Sequence, residues 1–232
     1  KNTYRVKEVF YTLQGEGAQA GRPAVFCRVS KCNVWNGRED SRTAAVCKFC
    51  DTDFIGTDGH LGGEYTAQEL IAVIAAQWPG ETSGNSVQGR PYVVCTGGEP
   101  ALQLDSALVD ELHRAGFEIA IETNGTLPLP DGIDWICLSP KGDSELAVIN
   151  CDELKLVYPQ ADAPPERFDY IVAEHCYLQP MADFEPVVIA SDKLEGAKEG
   201  LSVSNTRKAV DYCMKHPKWK LSLQTHKLLG IE

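Results

Sequence analysis

The chain has 232 residues, a formal net charge of −11 and 43% hydrophobic residues. That is enough for one domain with a buried core, and the acidic balance argues against a broad basic surface for nucleic acid or anionic lipid. No apolar run approaches the ~20 residues of a membrane span, since the apolar stretch at 71–76 is broken by Gln77 and Pro79. Nine cysteines, an odd number scattered along the sequence, fit reduced thiols better than disulfide staples. With no basic start leading into an apolar stretch, no secretion signal is expected, and the predicted place is the cytoplasm.

Residues 24–29 are a short apolar, β-prone run predicted as a strand, which leads into a loop carrying Cys32, Cys47 and Cys50. Thr66 with Glu69 three residues later is a capping box. The helix it opens puts Leu70, Ile71, Ile74, Ala75 and Trp78 on one face before Pro79 ends it. Residues 92–95 read as a buried strand, 105–114 as a helix closed by Gly116, and 117–121 as the next strand. Further strands are expected at 135–138, 154–157, 176–178 and 221–223, with a late helix over 204–216 stopped by Pro217. Residues 80–89 read as a flexible surface loop, and 190–200 as a polar, mobile stretch. This alternation predicts an α/β fold with a mainly parallel sheet. Too few strand–helix units are present to close it, so the expected architecture is a partial, TIM-like barrel in a single domain, 1–232.

Polar or glycine-rich clusters follow the predicted strands: the cysteine loop, Thr96-Gly97-Gly98-Glu99-Pro100, Glu122-Thr123-Asn124-Gly125, Ser139-Pro140-Lys141, Gln179-Pro180 and Gln224-Thr225-His226-Lys227. Ligands of parallel α/β sheets bind at the carboxyl ends of the strands, so these loops are expected to converge on one pocket. Three thiolates on a four-iron cluster leave one iron open to bind a substrate or cofactor, whereas four would close it. Cys95, Cys137 and Cys176 lie in apolar strands and are expected to act as small buried hydrophobes, as are Cys27, Cys151 and Cys213.

The three cysteines, the Thr96–Pro100 turn and the incomplete barrel together resemble the radical S-adenosylmethionine enzymes. The usual spacing in that superfamily is C-x3-C-x2-C, whereas here residues 33–46 separate the first two cysteines as an insertion. That long gap, Leu13-Gln14-Gly15-Glu16-Gly17, Cys50-Asp51-Thr52 and the late Gln224-Thr225-His226-Lys227 resemble the 7-carboxy-7-deazaguanine synthase family. The resemblance implies a carbon–nitrogen lyase of queuosine and 7-deazapurine biosynthesis. Its open iron would chelate S-adenosylmethionine, and homolysis of the carbon–sulfur bond would yield a 5′-deoxyadenosyl radical. That radical takes hydrogen from C6 of 6-carboxy-5,6,7,8-tetrahydropterin, and ring contraction with loss of ammonia gives 7-carboxy-7-deazaguanine.

On the same resemblance, Cys32, Cys47 and Cys50 hold a [4Fe-4S] cluster. Phe49, Cys50, Asp51, Gly97, Gly98, Glu99, Ser139, Pro140, Lys141 and Gln179 meet the cofactor. Gly97 and Gly98 suit close backbone approach, and Glu99 offers an acceptor to an ammonium group. Leu13, Gln14, Gly15, Glu16, Arg28, Thr96 and His226 are the expected pterin site, with Arg28 a fork for a carboxylate. Thr52 is the expected Mg²⁺ ligand, a hard cation content with one hydroxyl, waters and substrate oxygens. A homodimer and a reductant such as flavodoxin are also implied, the latter with the insertion as a docking candidate. Two rival readings are an activase that makes a glycyl radical on a partner protein, and a non-enzymatic zinc module closed by Cys32, Cys47, Cys50 and His60.

Overall fold

The computed structural model describes residues 3–80, 89–182 and 204–231. The loop expected at 80–89 lies outside the described residues from 81 to 88, and the stretch 190–200 lies outside them altogether.

The first strand, β1 (Tyr4–Leu13), pairs antiparallel with β2 (Pro23–Val29) and with the short β3 (Gly63–Tyr65). From β2 onward the sheet is parallel, through β4 (Tyr92–Gly97), β5 (Glu118–Thr123), β6 (Trp135–Leu138), β7 (Asn150–Tyr158), β8 (Val172–Pro180) and β9 (Trp219–Leu221). The order is β3-β1-β2-β4-β5-β6-β7-β8-β9, with β3 and β9 at the edges. This is the open, mainly parallel sheet that the strand–helix rhythm predicts.

Helix α1 (Ala67–Gln77) starts on the Thr66–Glu69 capping box, with both reciprocal hydrogen bonds made, and stops at Trp78, the residue that Pro79 keeps out of helical geometry. Helix α2 (Ser106–Arg114) is capped by Asp105 and ends with Gly116 at φ +87°. Gly116 and Phe117 return hydrogen bonds to His113 and Leu112, satisfying carbonyls the helix leaves open. Leu70 and Ile74 of α1 and Leu108, Val109 and Leu112 of α2 pack on Val25, Val93, Ile119 and Ile121, which share the outer sheet face. Helix α3 (Asn205–Lys215) covers the other half of that face, where Ala209 meets Leu154, Leu156, Cys176, Leu178 and Trp219. A short last helix, α4 (Thr225–Leu229), follows β9.

Side chains alternate across a strand. With Leu154 and Leu156 packed outward, Glu153, Lys155 and Val157 face the inside of the barrel; with Ile119 and Ile121 outward, so does Glu122. Among the described residues a small inner apolar cluster, Ala24, Tyr92, Val94 and Ala120, fills the base. This division explains the differences from the sequence expectation. β7 and β8 extend past their predicted limits because Asp152, Glu153, Glu174 and His175 interrupt the apolar pattern without ending the strand. β9 lies two residues early, since Ser222 is buried in a hydrogen bond to Gln179. β1 and β3 were not predicted: Arg5, Lys7 and Glu8 break the hydrophobic alternation of β1.

Candidate active site

All nine cysteines are free thiols. Cys32, Cys47 and Cys50 line one cavity of about 350 Å³ at the carboxyl edge of the sheet. The insertion 33–46 folds back onto the cysteine pair. Val34 and Trp35 pack with Phe54 and Cys47, while Arg42 stacks 4.0 Å over the Trp35 ring and donates 3.1 Å to the Cys50 carbonyl. The Cys47 thiol pairs with Cys50, which brings Cys50 down to about 6 and pushes Cys47 up. Burial pushes Cys32 up as well. Among the described residues no three His, Cys, Asp or Glu side chains surround a single ion. Zn–S bonds of ~2.3 Å need a tight set, whereas an iron–sulfur cluster spreads its thiolates over several metal atoms. His60 is exposed and away from the cavity wall, so the tetrahedral zinc reading finds no site.

Gly97 and Gly98 line the cavity, but their lack of a side chain answers a closer neighbour than a cofactor. A Cβ on Gly98 would collide with the Lys31 carbonyl and one on Gly97 with the Val29 carbonyl, and Gly97 sits at φ +117°. The turn docks against the start of the cysteine loop through Gly98 N–H to Val29 at 3.1 Å and Glu99 N–H to Lys31 at 2.9 Å.

Glu99 is fully buried, behind the cavity wall rather than on it. Its carboxylate accepts from Ala101 N–H at 2.9 Å, Thr123 Oγ1 at 2.7 Å and Asn124 N–H at 2.7 Å, so it ties the turn after β4 to the turn after β5. Burial raises its pKa while these donors and Lys141 pull it down. Asn124 in turn donates 3.0 Å to Asn33, joining the cysteine loop to the same network. Lys141 reaches the Ser139 carbonyl at 2.7 Å and both residues line the cavity, whereas Pro140 does not.

Opposite the thiols lie Leu13, Gln14, Gly15 and Glu16, with Arg28, Thr96, Gln179 and His226 on the same cavity. Arg28 spends Nε on Glu8 at 2.7 Å and stacks 5.6 Å over Phe10. His226 is pressed against Gly15, where any side chain would overlap its ring, and Thr225 fastens this contact by donating N–H and Oγ1 to the Gly15 carbonyl, each at 2.9 Å. Phe49, Asp51 and Thr52 also face the cavity. The carboxylates flanking Thr52 are both engaged by lysines, Asp51 by Lys227 and Asp53 by Lys7 at 2.9 Å. Thr52 thus offers an uncharged hydroxyl between two lysine-paired carboxylates, and most ligands of a hard cation there must come from water and substrate.

Sequence reasoning missed the charged floor between these walls. Lys155, 5% exposed at its side chain, sits 2.7 Å from Glu16 Oε2 and 3.6 Å from Glu122 Oε1. Glu16 Oε1 also accepts from Gln179 at 3.1 Å and Gln224 at 2.9 Å. Burial alone would raise the Glu16 pKa, but Lys155, with help from Gln224 and His226, outweighs it and holds the carboxyl at about 2. Beneath them Glu153 accepts from Ala18 N–H at 2.9 Å and from the Cys137 thiol at 3.6 Å, and burial pushes its carboxyl up. Cys137 is therefore more than the small hydrophobe expected, and the one signal for this floor was a lysine alternating with leucines in an apolar strand.

Cysteines on the carboxyl edge of an incomplete barrel, beside a glycine turn fastened to their loop, define a radical S-adenosylmethionine enzyme. No protein-family model matches the chain. Relatives named 7-carboxy-7-deazaguanine synthase are 57% identical over 230 residues in Bradyrhizobium diazoefficiens and 53% identical over 230 residues in Caulobacter vibrioides, each alignment covering 99% of both chains. The crystal structure of QueE from Escherichia coli superposes with a TM-score of 0.64 at 25% identity, covering 95% of this chain and 93% of that one. The chain belongs to the 7-carboxy-7-deazaguanine synthase family, enzymes of 7-deazapurine biosynthesis.

Proposed function

We infer that the chain, as one domain, converts 6-carboxy-5,6,7,8-tetrahydropterin to 7-carboxy-7-deazaguanine with release of ammonia. The product equals the substrate less one ammonia, so the net reaction is redox-neutral and needs initiation rather than a stoichiometric oxidant. The observation that carries this reading is the convergence of the cysteine loop, the glycine turn and the Leu13–Glu16 segment on one cavity of a size usual for ligand sites. Cys32, Cys47 and Cys50 would hold a [4Fe-4S] cluster, with Phe49, Asp51, Gly97, Gly98, Ser139, Lys141 and Gln179 beside S-adenosylmethionine and Glu99 behind them. Bound together, cluster and cofactor supply a carbon-centred radical. Thr52 would contribute its hydroxyl to Mg²⁺.

The chain's own residues bind and orient. Arg28 brings a guanidinium to the pterin carboxylate, Thr96 and His226 border it, and Gln14 and Glu16 set the polarity of the floor. No described helix is long and apolar enough to cross a membrane. The free thiols fit a reducing, cytoplasmic setting, and membership of this family supports a flavodoxin-type electron donor and a homodimer. The test is anaerobic reconstitution with iron and sulfide, then turnover of the tetrahydropterin with S-adenosylmethionine and reductant, with and without Mg²⁺. The expected result is a deazaguanine product by mass spectrometry, stimulated by Mg²⁺. A cluster-loaded protein that cleaves the cofactor but yields no deazaguanine overturns the substrate assignment.

A further inference from the structure

Four groups under the cavity close a ring. Glu16 N–H donates 3.1 Å to Gln14 Oε1, and Gln14 Nε2 donates 2.9 Å to Glu122 Oε1. Lys155 closes it, bridging Glu122 Oε1 and Glu16 Oε2. Both ends of the Gln14 amide are used, so its orientation is fixed by the ring. Glu16 is spent as well, with Oε2 on Lys155 and Oε1 on two amides. Glu122 keeps Oε2 without a protein partner among the described residues, on a side chain that lines the cavity. Lys155 is the cation of this floor. The charged and titratable groups facing it are Glu16 after β1, Glu122 of β5, Cys137 of β6 and Glu153 of β7, with His226 of α4 acting on Glu16.

A lone buried cation among three carboxylates is costly to leave idle, because each charge is removed from water. A pterin suits such a floor: its amino-pyrimidinone edge carries adjacent N–H donors that a fixed carboxylate accepts well. We propose that Lys155 is a positioning residue for the pterin, acting through Glu16 and Glu122 so that the ring presents Glu122 as an oriented acceptor in the cavity floor. Lys155 does not touch the reacting atoms; it fixes the charge and direction of groups that do the binding. This rests on the substrate reading above.

The test uses reconstituted holoenzyme of the wild type and of Lys155→Met, which keeps the length of the side chain and removes its charge. Steady-state turnover of the tetrahydropterin is measured from pH 8 to pH 6, alongside fluorescence titration with the oxidised analogue 6-carboxypterin, a probe that needs no turnover. The expected result is a KM and a 6-carboxypterin Kd raised at least tenfold at pH 7, with a smaller change in kcat. The deficit should widen as the pH falls, because a buried Glu16 carboxyl stripped of its cation takes up a proton and loosens the ring, while in the wild type Lys155 keeps Glu16 ionised and the profile stays flat. If Lys155→Met does not fold by circular dichroism, Lys155→Gln, which removes the charge but keeps a polar end, should also raise KM and Kd at least tenfold. Wild-type KM, Kd and pH profile in a folded variant overturn the proposal. A wild type that makes no deazaguanine fails the substrate reading instead, and unweakened 6-carboxypterin binding in the variant still overturns the role of Lys155.

Discussion

The two sides of the cavity are built in opposite ways. The thiol side comes from one stretch of chain, 29–54, folded on itself around Val34, Trp35 and Phe54 and docked on the glycine turn through the Val29 and Lys31 carbonyls. The floor comes from five separated segments, represented by Glu16, Glu122, Lys155, Gln179 and Gln224, joined by charge-assisted hydrogen bonds. A metal cluster needs ligands and shelter, which a local loop can supply. Fixing a flat heterocycle in one orientation needs polar groups aimed from several directions, and only a sheet edge gathers those.

The contrast can be broken from the thiol side first, where the largest effect is expected. Cys32→Ala, Cys47→Ala or Cys50→Ala should each abolish turnover and cofactor cleavage with the fold intact, read as lost iron and sulfide beside an unchanged far-ultraviolet circular dichroism spectrum. On the floor, the effect is thermodynamic and depends on pH. The Glu16 carboxyl lies near 2 in the folded protein against 4.5 ordinarily. Its contribution, about 3 kcal/mol, is therefore complete above pH 4.5 and lost as the pH falls toward 2. The pH-dependent stability gap between wild type and Glu16→Gln should close over that window in urea titrations.

Glu99 belongs to both sides, since it links the cysteine-side turn to the turn after β5. Glu99→Gln sets an amide N–H₂ against at least one of three buried donors and should cost about 2 kcal/mol, seen as a lower urea midpoint with an unchanged m-value. Lys7 braces Asp53 and Asp58 beside Thr52. Lys7→Met should raise the Mg²⁺ concentration for half-maximal turnover about tenfold. The smallest effect is expected from the insertion: Arg42→Met removes the stack on Trp35, about 1 kcal/mol of support for the loop, read as faster loss of iron on exposure to air.

Much of the thiol side was legible because its information is local. Spacing alone places Cys47 near Cys50, the Thr66–Glu69 pair announces α1, and a strand followed by Gly97-Gly98 announces a turn at the sheet edge. The glycines were read as room for a cofactor, whereas the close approach the structure shows is to the Lys31 and Val29 backbone, which no pattern reveals. The floor was mostly illegible. Glu153 and Lys155 look like interruptions of an apolar strand until the barrel gives that strand a wet inner face, and Lys7 likewise hid β1 by putting a buried charge where alternation calls for an apolar residue.

The sequence by itself determined the rhythm of strands and helices, the caps and the cysteine set, since each depends on residues a few positions apart. Tertiary structure alone decided that Glu16, Glu122 and Lys155 share one ring, that Glu99 stands behind the cavity, and that His226 rests on Gly15. Those contacts join residues more than a hundred positions apart in most cases, and their energies exist only once burial has removed the water that would otherwise solvate each charge separately.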